Sequence, residues 1–204
     1  MTTIEIRPDG PYAVTGVETF RDADGKPIVH AEQVMKLCRC GGSQNKPFCD
    51  GTHKRNGFSG ARIADGSKDK LETYSGPGIT IRDNRSVCAH AGYCTDGQAK
   101  VFKYGSEPWI DPAGAQPQQI VETIRHCPSG ALSYSIDGAE PKPEEWKPSI
   151  EVLKDGPYAV LGVELKGVAF AQGVPRERYT LCRCGASKNK PFCDGSHYDV
   201  GFKG

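Results

Sequence analysis

Among the 204 residues, nine cysteines and five histidines are the side chains most able to bind a metal, and most of them fall into three groups. Cys38, Cys40, Cys49 and His53 lie near the start, Cys182, Cys184, Cys193 and His197 near the end, and Cys88, Cys94 and Cys127 between them. An odd number of cysteines, behind a start without a signal-peptide pattern, argues against a purely disulfide framework and for metal ligation. Alternate side chains of an extended segment lie on one side, so Cys38 and Cys40 can reach a common metal ion, as can Cys182 and Cys184. A spacing of four sets Cys49 over His53, and Cys193 over His197, on one face of a helical turn.

One pair from a strand and one from a turn suits a dinuclear iron–sulfur cluster. The alternative is a Cys3His zinc site, although zinc modules usually separate their first two cysteines by two to four residues and here one residue intervenes. Around the ligands, Pro47 and Pro191 fix the chain direction without leaving an unsatisfied N–H. Asp50 and Asp194 are good N-cap residues for the turn that carries each histidine. Gly51 and Gly195 allow close backbone approach. Arg39, Lys46, Lys54, Arg183 and Lys190 flank the sites and read individually as a solvated rim, collectively as a basic collar suited to an acidic partner.

The elements that must position these residues are duplicated. IEIRPDGPYAVTGVE at 4–18 matches IEVLKDGPYAVLGVE at 150–164, and LCRCGGSQNKPFCDGTH at 37–53 matches LCRCGASKNKPFCDGSH at 181–197. Gly57-Phe58 and Gly201-Phe202 follow the two loops. Each unit opens on an Asp-Gly-Pro turn and a β-like run, Tyr12 to Val17 and Tyr158 to Val163, with no long amphipathic helix. The organisation expected is a first unit over 1–60, a linker over 61–75, a middle module over 76–137, a Pro-rich linker over 138–149 containing Pro141, Pro143 and Pro148, and a second unit over 150–204.

Both loops resemble the CDGSH iron–sulfur family, the mitoNEET-like proteins, with Thr52 the one conservative variant in the signature. The resemblance implies a [2Fe-2S] cluster held by Cys38, Cys40, Cys49 and His53, and a second held by Cys182, Cys184, Cys193 and His197. It also implies that the two units exchange a strand to complete a β-rich cap, here within one chain. The fold class expected is α+β, with small β-rich, metal-stapled modules: two CDGSH units forming a pseudo-two-fold strand-swapped cap around an inserted compact ferredoxin-like domain.

Between the units, Cys88-x2-Ala91-x2-Cys94 and Cys127-Pro128 resemble single-cluster bacterial ferredoxins of the short divergent group. In the Cys-x2-Cys-x2-Cys opening of such motifs the middle position is Ala91 here. Three thiolates suit a [3Fe-4S] cluster, and His90, one residue from the vacant position, would complete a [4Fe-4S] site instead. His30 and His126 have no such context. Ile79 to Arg82 reads as a strand, Gln116 to Ile124 as a short helix presenting Ile120, Val121 and Ile124, and Ala131 to Ile136 as a returning strand. Trp109-Ile110-Asp111-Pro112 begins the turn before the helix.

Composition narrows the function. Phe, Ile, Leu and Val number 38, just under the one-fifth mark where a packed core becomes doubtful, yet 26 basic against 25 acidic residues leave a net charge of only +1, too small to extend the chain. Without a basic excess or a Lys/Arg block, nucleic acid is not an expected partner. No apolar run is long enough for a membrane span, and a cytoplasmic location is expected. Nucleophile–base pairs, paired carboxylates and phosphate loops are not evident, and lone Gly-x-Gly fragments do not make a dinucleotide fingerprint, so the chain is not expected to be an enzyme. The reading is an electron-transfer protein that meets a redox partner protein, a reductase or an acceptor, and is itself monomeric through intramolecular pairing of its two units. The alternative is a cluster carrier or a redox or pH sensor that releases its His-ligated clusters, since imidazole both raises the potential and weakens retention. Clusters that serve only as structural staples would be a third role.

Overall fold

The computed structural model describes residues 1–142 and 144–204. Pro143, one proline of the expected second linker, lies outside the described residues. The chain forms eleven short strands and three short helices among these residues, a β-rich α+β protein. No described helix is long and apolar enough to cross a membrane.

Each duplicated unit opens on a hairpin. Strands β1 (Thr3–Ile6) and β2 (Tyr12–Thr15) pair antiparallel, as do β8 (Ser149–Val152) and β9 (Tyr158–Leu161). The Asp-Gly-Pro turns close them in the same way: Arg7 N donates to Pro11 O at 3.0 Å, and Leu153 N to Pro157 O at 3.0 Å. Strands β4 (Val34–Leu37) and β11 (Arg178–Leu181) add to β2 and β9 and lead directly into the cysteine loops.

The fourth strand of each sheet comes from the other unit. β10 (Glu164–Leu165) lies parallel on β1, and β3 (Thr19–Arg21) lies parallel on β8, which gives the orders β10-β1-β2-β4 and β11-β9-β8-β3. Alternation buries Ile4, Tyr12, Val14, Met35 and Leu37 in one sheet and Ile150, Tyr158, Val160, Tyr179 and Leu181 in the other. At the centre the rings of Tyr12 and Tyr158 meet edge to face, 6.1 Å apart.

The middle module is an antiparallel sheet of β5 (Leu71–Gly76), β6 (Ile79–Asn84) and β7 (Leu132–Ile136). Against it lies α2 (Pro117–Arg125), with α1 (Tyr93–Gly97) packed on α2. Helix α2 starts on a capping box between Gln116 and Gln119, has Pro117 at its first position, and buries Ile120, Thr123 and Ile124. The expected strand at 79 and the returning strand at 131 both form, and the helix begins one residue later than its capping Gln116. Strand β5 takes up part of the segment expected as a linker over 61–75. Leu71-Glu-Thr-Tyr-Ser-Gly is an exposed edge strand with little apolar alternation, so its pattern does not announce it.

Candidate metal centres

The first loop is held open by its own backbone. Cys38 N donates to Pro47 O at 2.8 Å and Cys49 N to Lys36 O at 2.7 Å, which sets the two halves of the loop face to face. The second loop repeats both bonds, Cys182 N to Pro191 O at 2.8 Å and Cys193 N to Thr180 O at 3.1 Å. Ser43 Oγ donates to Phe48 O and Ser187 Oγ to Phe192 O, at 2.6 and 2.7 Å. Lys46-Pro47 and Lys190-Pro191 are both cis peptides.

Within this frame the ligand candidates stand as pairs. Cys38 Sγ is 3.8 Å from Cys40 Sγ, and Cys49 Sγ is 3.4 Å from His53 Nδ1. Cys182 and Cys184 are likewise 3.8 Å apart, and Cys193 and His197 Nδ1 3.4 Å apart. Among the described residues no three His, Cys, Asp or Glu side chains gather around one ion-sized point. A two-plus-two donor set suits a dinuclear cluster, one pair per iron.

Burial sets the protonation of several of these thiols. All nine cysteines are free thiols. Burial raises the pKa of Cys38, pushes Cys193 up to about 12 and Cys88 up to about 11, and raises Cys94 as well. Within the Cys182–Cys184 pair their mutual hydrogen bond holds Cys182 high and Cys184 low. Thiols this reluctant to ionise become thiolates when a bound metal supplies the positive charge. Gly42 N and Ala186 N point at Cys40 Sγ and Cys184 Sγ, each at 3.4 Å, ready to donate to thiolate sulfur.

The two loops touch each other. A Cβ on Gly41 would collide with the Cys184 carbonyl oxygen, and one on Gly185 would lie 2.7 Å from that of Cys40, so only glycine lets the loops approach. Each loop is also braced by the opposite hairpin: the Tyr158 hydroxyl donates toward Cys38 O and Pro47 O at 2.9 and 3.0 Å, and Tyr12 does the same for Cys182 O and Pro191 O at 2.9 and 3.1 Å. Composition and spacing gave no sign of this crossed bracing.

Three expectations about the surroundings are corrected. Arg39 and Arg183 are not part of a solvated rim; they are 4% and 1% exposed. Arg183 donates to Gly156 O, Leu153 O and Gly204 O and stacks over Phe202, while Arg39 donates to Gly60 O and Arg7 O and stacks over Phe58. Lys46 and Lys190 each turn back to a carbonyl of their own loop, Ser43 O and Ser187 O. They reach across to Phe202 and Phe58, which explains the repeated Gly-Phe as a cation seat. Asp50 and Asp194 are not N-caps. Gly51 and Gly195 occupy that position at φ 85°, and the carboxylates stand one residue earlier. There they accept from Thr52 N and Gln44 N, and from Ser196 N and Lys188 N, tying the histidine turn to the middle of the loop.

In the middle module Cys88, Cys94 and Cys127 line one cavity of about 670 Å³ with Arg85, His90 and Trp109. Cys88 follows a 3-10 turn over Arg85–Val87, Cys94 lies on α1, and Cys127 follows α2 with its N–H on Ile124 O. Arg85 stacks 3.8 Å over the Trp109 ring and points a guanidinium N–H at Cys88 Sγ, 3.7 Å away, so a cation faces the cysteines. Beneath it Asp83, buried beside Arg85, has a pKa pushed up to about 6 by desolvation. His90 has φ +53°, and its N–H donates to Cys88 Sγ at 3.4 Å. Its ring lies against the second loop, where a Cβ on Gly195 would be 2.6 Å from His90 Cδ2.

This contact joins the middle module to one loop and not the other. Tyr198 donates to His90 O at 3.0 Å, with its ring 4.2 Å from that of His197, and Asn189 donates to Ser86 O at 2.8 Å. Ile63 and Ala64, in the connection before β5, donate to Lys188 O. Among the described residues, every hydrogen bond from 74–137 to an outer unit goes to the second one. His197 is consequently 5% exposed while His53 is half-buried, and burial with the nearby His90 holds His197 below the ordinary imidazole range.

Comparison with known proteins finds three matched segments along the chain. Residues 9–54 and 155–198 match the family described as iron-binding zinc finger, CDGSH type, and residues 74–137 match the divergent 4Fe-4S mono-cluster family. Two curated relatives, the uncharacterized protein YjdI of Escherichia coli strain K12 and its counterpart in E. coli O157:H7, are each 39% identical over 61 residues, 30% of this chain and 80% of theirs. No solved structure matches the chain.

Proposed function

Because the chain belongs to the CDGSH family of iron-binding proteins and carries two such units around a divergent 4Fe-4S mono-cluster domain, we propose that this iron–sulfur protein transfers electrons. In this reading Cys38, Cys40, Cys49 and His53 hold one [2Fe-2S] cluster and Cys182, Cys184, Cys193 and His197 another. Cys88, Cys94 and Cys127 hold a [3Fe-4S] cluster. The modules are the first unit over 1–60, the middle module over 76–137 and the second unit over 150–204, and the crossed sheets act as an intramolecular strand-exchanged cap. Bound clusters supply one-electron redox chemistry, with His ligation raising the potential relative to all-Cys sites.

The single observation that carries the reading is the two-plus-two arrangement of donors in both loops, at 3.8 and 3.4 Å each time. The residues around them do what a carrier requires. Tyr12, Tyr158, Arg39 and Arg183 lock the loops so that little reorganises when charge arrives, and the amides of Gly42 and Ala186 stabilise anionic sulfur. Arg85 supports the same charge in the middle module. An external redox partner protein is part of the proposal.

A second assignment of the middle centre, [4Fe-4S] with His90 as fourth ligand, is favoured by the description of the matching family and by the place of His90 in the same cavity. Commitment of the His90 ring to Gly195 favours the three-iron form. Release of a His-ligated cluster, as a carrier or sensor would require, is favoured by the half-buried His53. Reductive titration of anaerobically purified protein followed by electron paramagnetic resonance separates these. Electron transfer predicts dinuclear signals that appear on reduction and vanish on reoxidation with iron retained. Irreversible loss of signal with iron released would favour delivery, and an oxidised-state three-iron signal would exclude His90 as a ligand.

A further inference from the structure

The two loops share nearly every residue up to the histidine and then diverge. After His53 come Lys54, Arg55 and Asn56; after His197 come Tyr198, Asp199 and Val200, before Gly-Phe resumes in both. The divergence falls on the turn that borders the half-buried imidazole edge of one site and the covered edge of the other.

In the second unit the first divergent residue bonds the middle module. Tyr198 bonds the His90 carbonyl, and the His90 ring, Gly195, Asn189 and the Ile63–Ala64 connection close the rest of that loop. Burial follows: Cys193, Gly195 and His197 are buried, whereas Cys49, Gly51 and His53 at the matching positions are half-exposed. In the first unit Lys54 and Arg55 are exposed, and neither forms an ion pair among the described residues. Asp50, the carboxylate of the same loop, accepts from the Gln44 and Thr52 amides and pairs with neither cation. Two free cations beside an open ligand edge favour a negatively charged surface and steer its approach.

We infer that the two chemically matched sites have divided roles: the first loop is the docking face for an acidic partner protein, which meets Lys54 and Arg55 beside His53, and the second loop is covered by the middle module and serves it. This rests on the reading of both loops as cluster sites.

The test is electron paramagnetic resonance power saturation of the reduced, fully loaded protein with two dysprosium chelates as surface probes, neutral Dy-HEDTA and anionic Dy-EDTA. His53→Cys and His197→Cys, which each keep a ligand, assign the two dinuclear signals by shifting only their own. The neutral probe should relax the first-site signal and leave the second nearly unchanged. The anionic probe should relax the first-site signal more strongly than the neutral one, and Lys54→Glu with Arg55→Glu should abolish that excess while the neutral effect stays. Equal relaxation of both sites, or stronger relaxation of the second, would overturn the division of roles. Equal effects of the two probes at the first site would overturn the acidic partner. Absence of any reversible dinuclear signal would instead remove the underlying cluster reading.

Discussion

Two loops with almost the same residues occupy different environments. In the first, His53 and Cys49 are half-exposed; in the second, His197 and Cys193 are buried, although the donor distances agree to the tenth of an ångström. Local geometry is therefore written in the loop: the Ser–carbonyl bond, the Asp that ties two amides and the tyrosine from the opposite hairpin hold the donors in both copies. Exposure is written elsewhere, in a middle module whose hydrogen bonds, among the described residues, reach the second copy only. Sequence identity in such a loop predicts the placement of its cysteine and histidine side chains and leaves their access open.

The largest test of this comparison concerns the buried arginines. Arg183→Ala removes three hydrogen bonds to main-chain carbonyls, of which that to Gly156 O is buried, and should lower stability by about 3–4 kcal/mol, because bonds from a charged donor contribute about 1.5–3 kcal/mol each and do not add fully. Arg39→Ala loses one good bond, to Gly60 O at 2.8 Å, and a long one, and should cost about 2 kcal/mol. Anaerobic guanidinium unfolding of both variants measures the difference; equal costs would mean the second loop is no more tightly bound than the first.

A pH-linked effect belongs to the sealing module. Asp83 has a folded pKa raised to about 6 by burial, against the Arg85 guanidinium that opposes the shift and Glu72 that adds to it. Its contribution is fully present below the ordinary carboxylate pKa and lost as pH rises through about 6, roughly 3 kcal/mol in all. Asp83→Asn should flatten stability between acid and neutral pH and raise it above the folded pKa, as a pH series of unfolding midpoints would show.

Gly51 and Gly195 compare the surroundings most directly, since both have φ 85°. Alanine at either pays about 1–2 kcal/mol for the left-handed backbone. Gly51 has open space, so its cost should end there, whereas Gly195→Ala also drives a Cβ into the His90 ring and should cost more. Equal costs would show that His90 does not seal the second loop. Tyr198→Phe is the mildest change: it removes one exposed hydroxyl bond and should cost about 1 kcal/mol or less, with greater proteolytic access to residues 89–93 as its sign.

The repeat, the pairing of the candidate donor side chains and the strand–helix–strand outline of the middle module were legible because each is local: fixed spacings, turn residues and a 3.6-residue apolar period. What was not legible depends on contacts between distant segments. β5 is polar and half-exposed, so nothing in its pattern separates it from a linker. Arg39 and Arg183 read as surface cations because their partners are main-chain carbonyls and the rings of Phe58 and Phe202, none of which charge patterning reveals. Asp50 and Asp194 have the right type for an N-cap, but the following glycines adopt the left-handed backbone and take that position. The divergence after the two histidines was visible in the aligned repeats, and only the position of His90 gives it meaning.

Mössbauer spectroscopy of protein enriched in iron-57, with iron and sulfide analysis of the same sample, tests the central claim most directly. Two dinuclear centres and one trinuclear centre require about seven irons per chain, with each dinuclear centre resolved into an all-thiolate iron and a His-bound iron. Zinc in place of iron, or dinuclear irons that are all alike, would contradict the assignment of paired cysteine and cysteine–histidine donors in both loops.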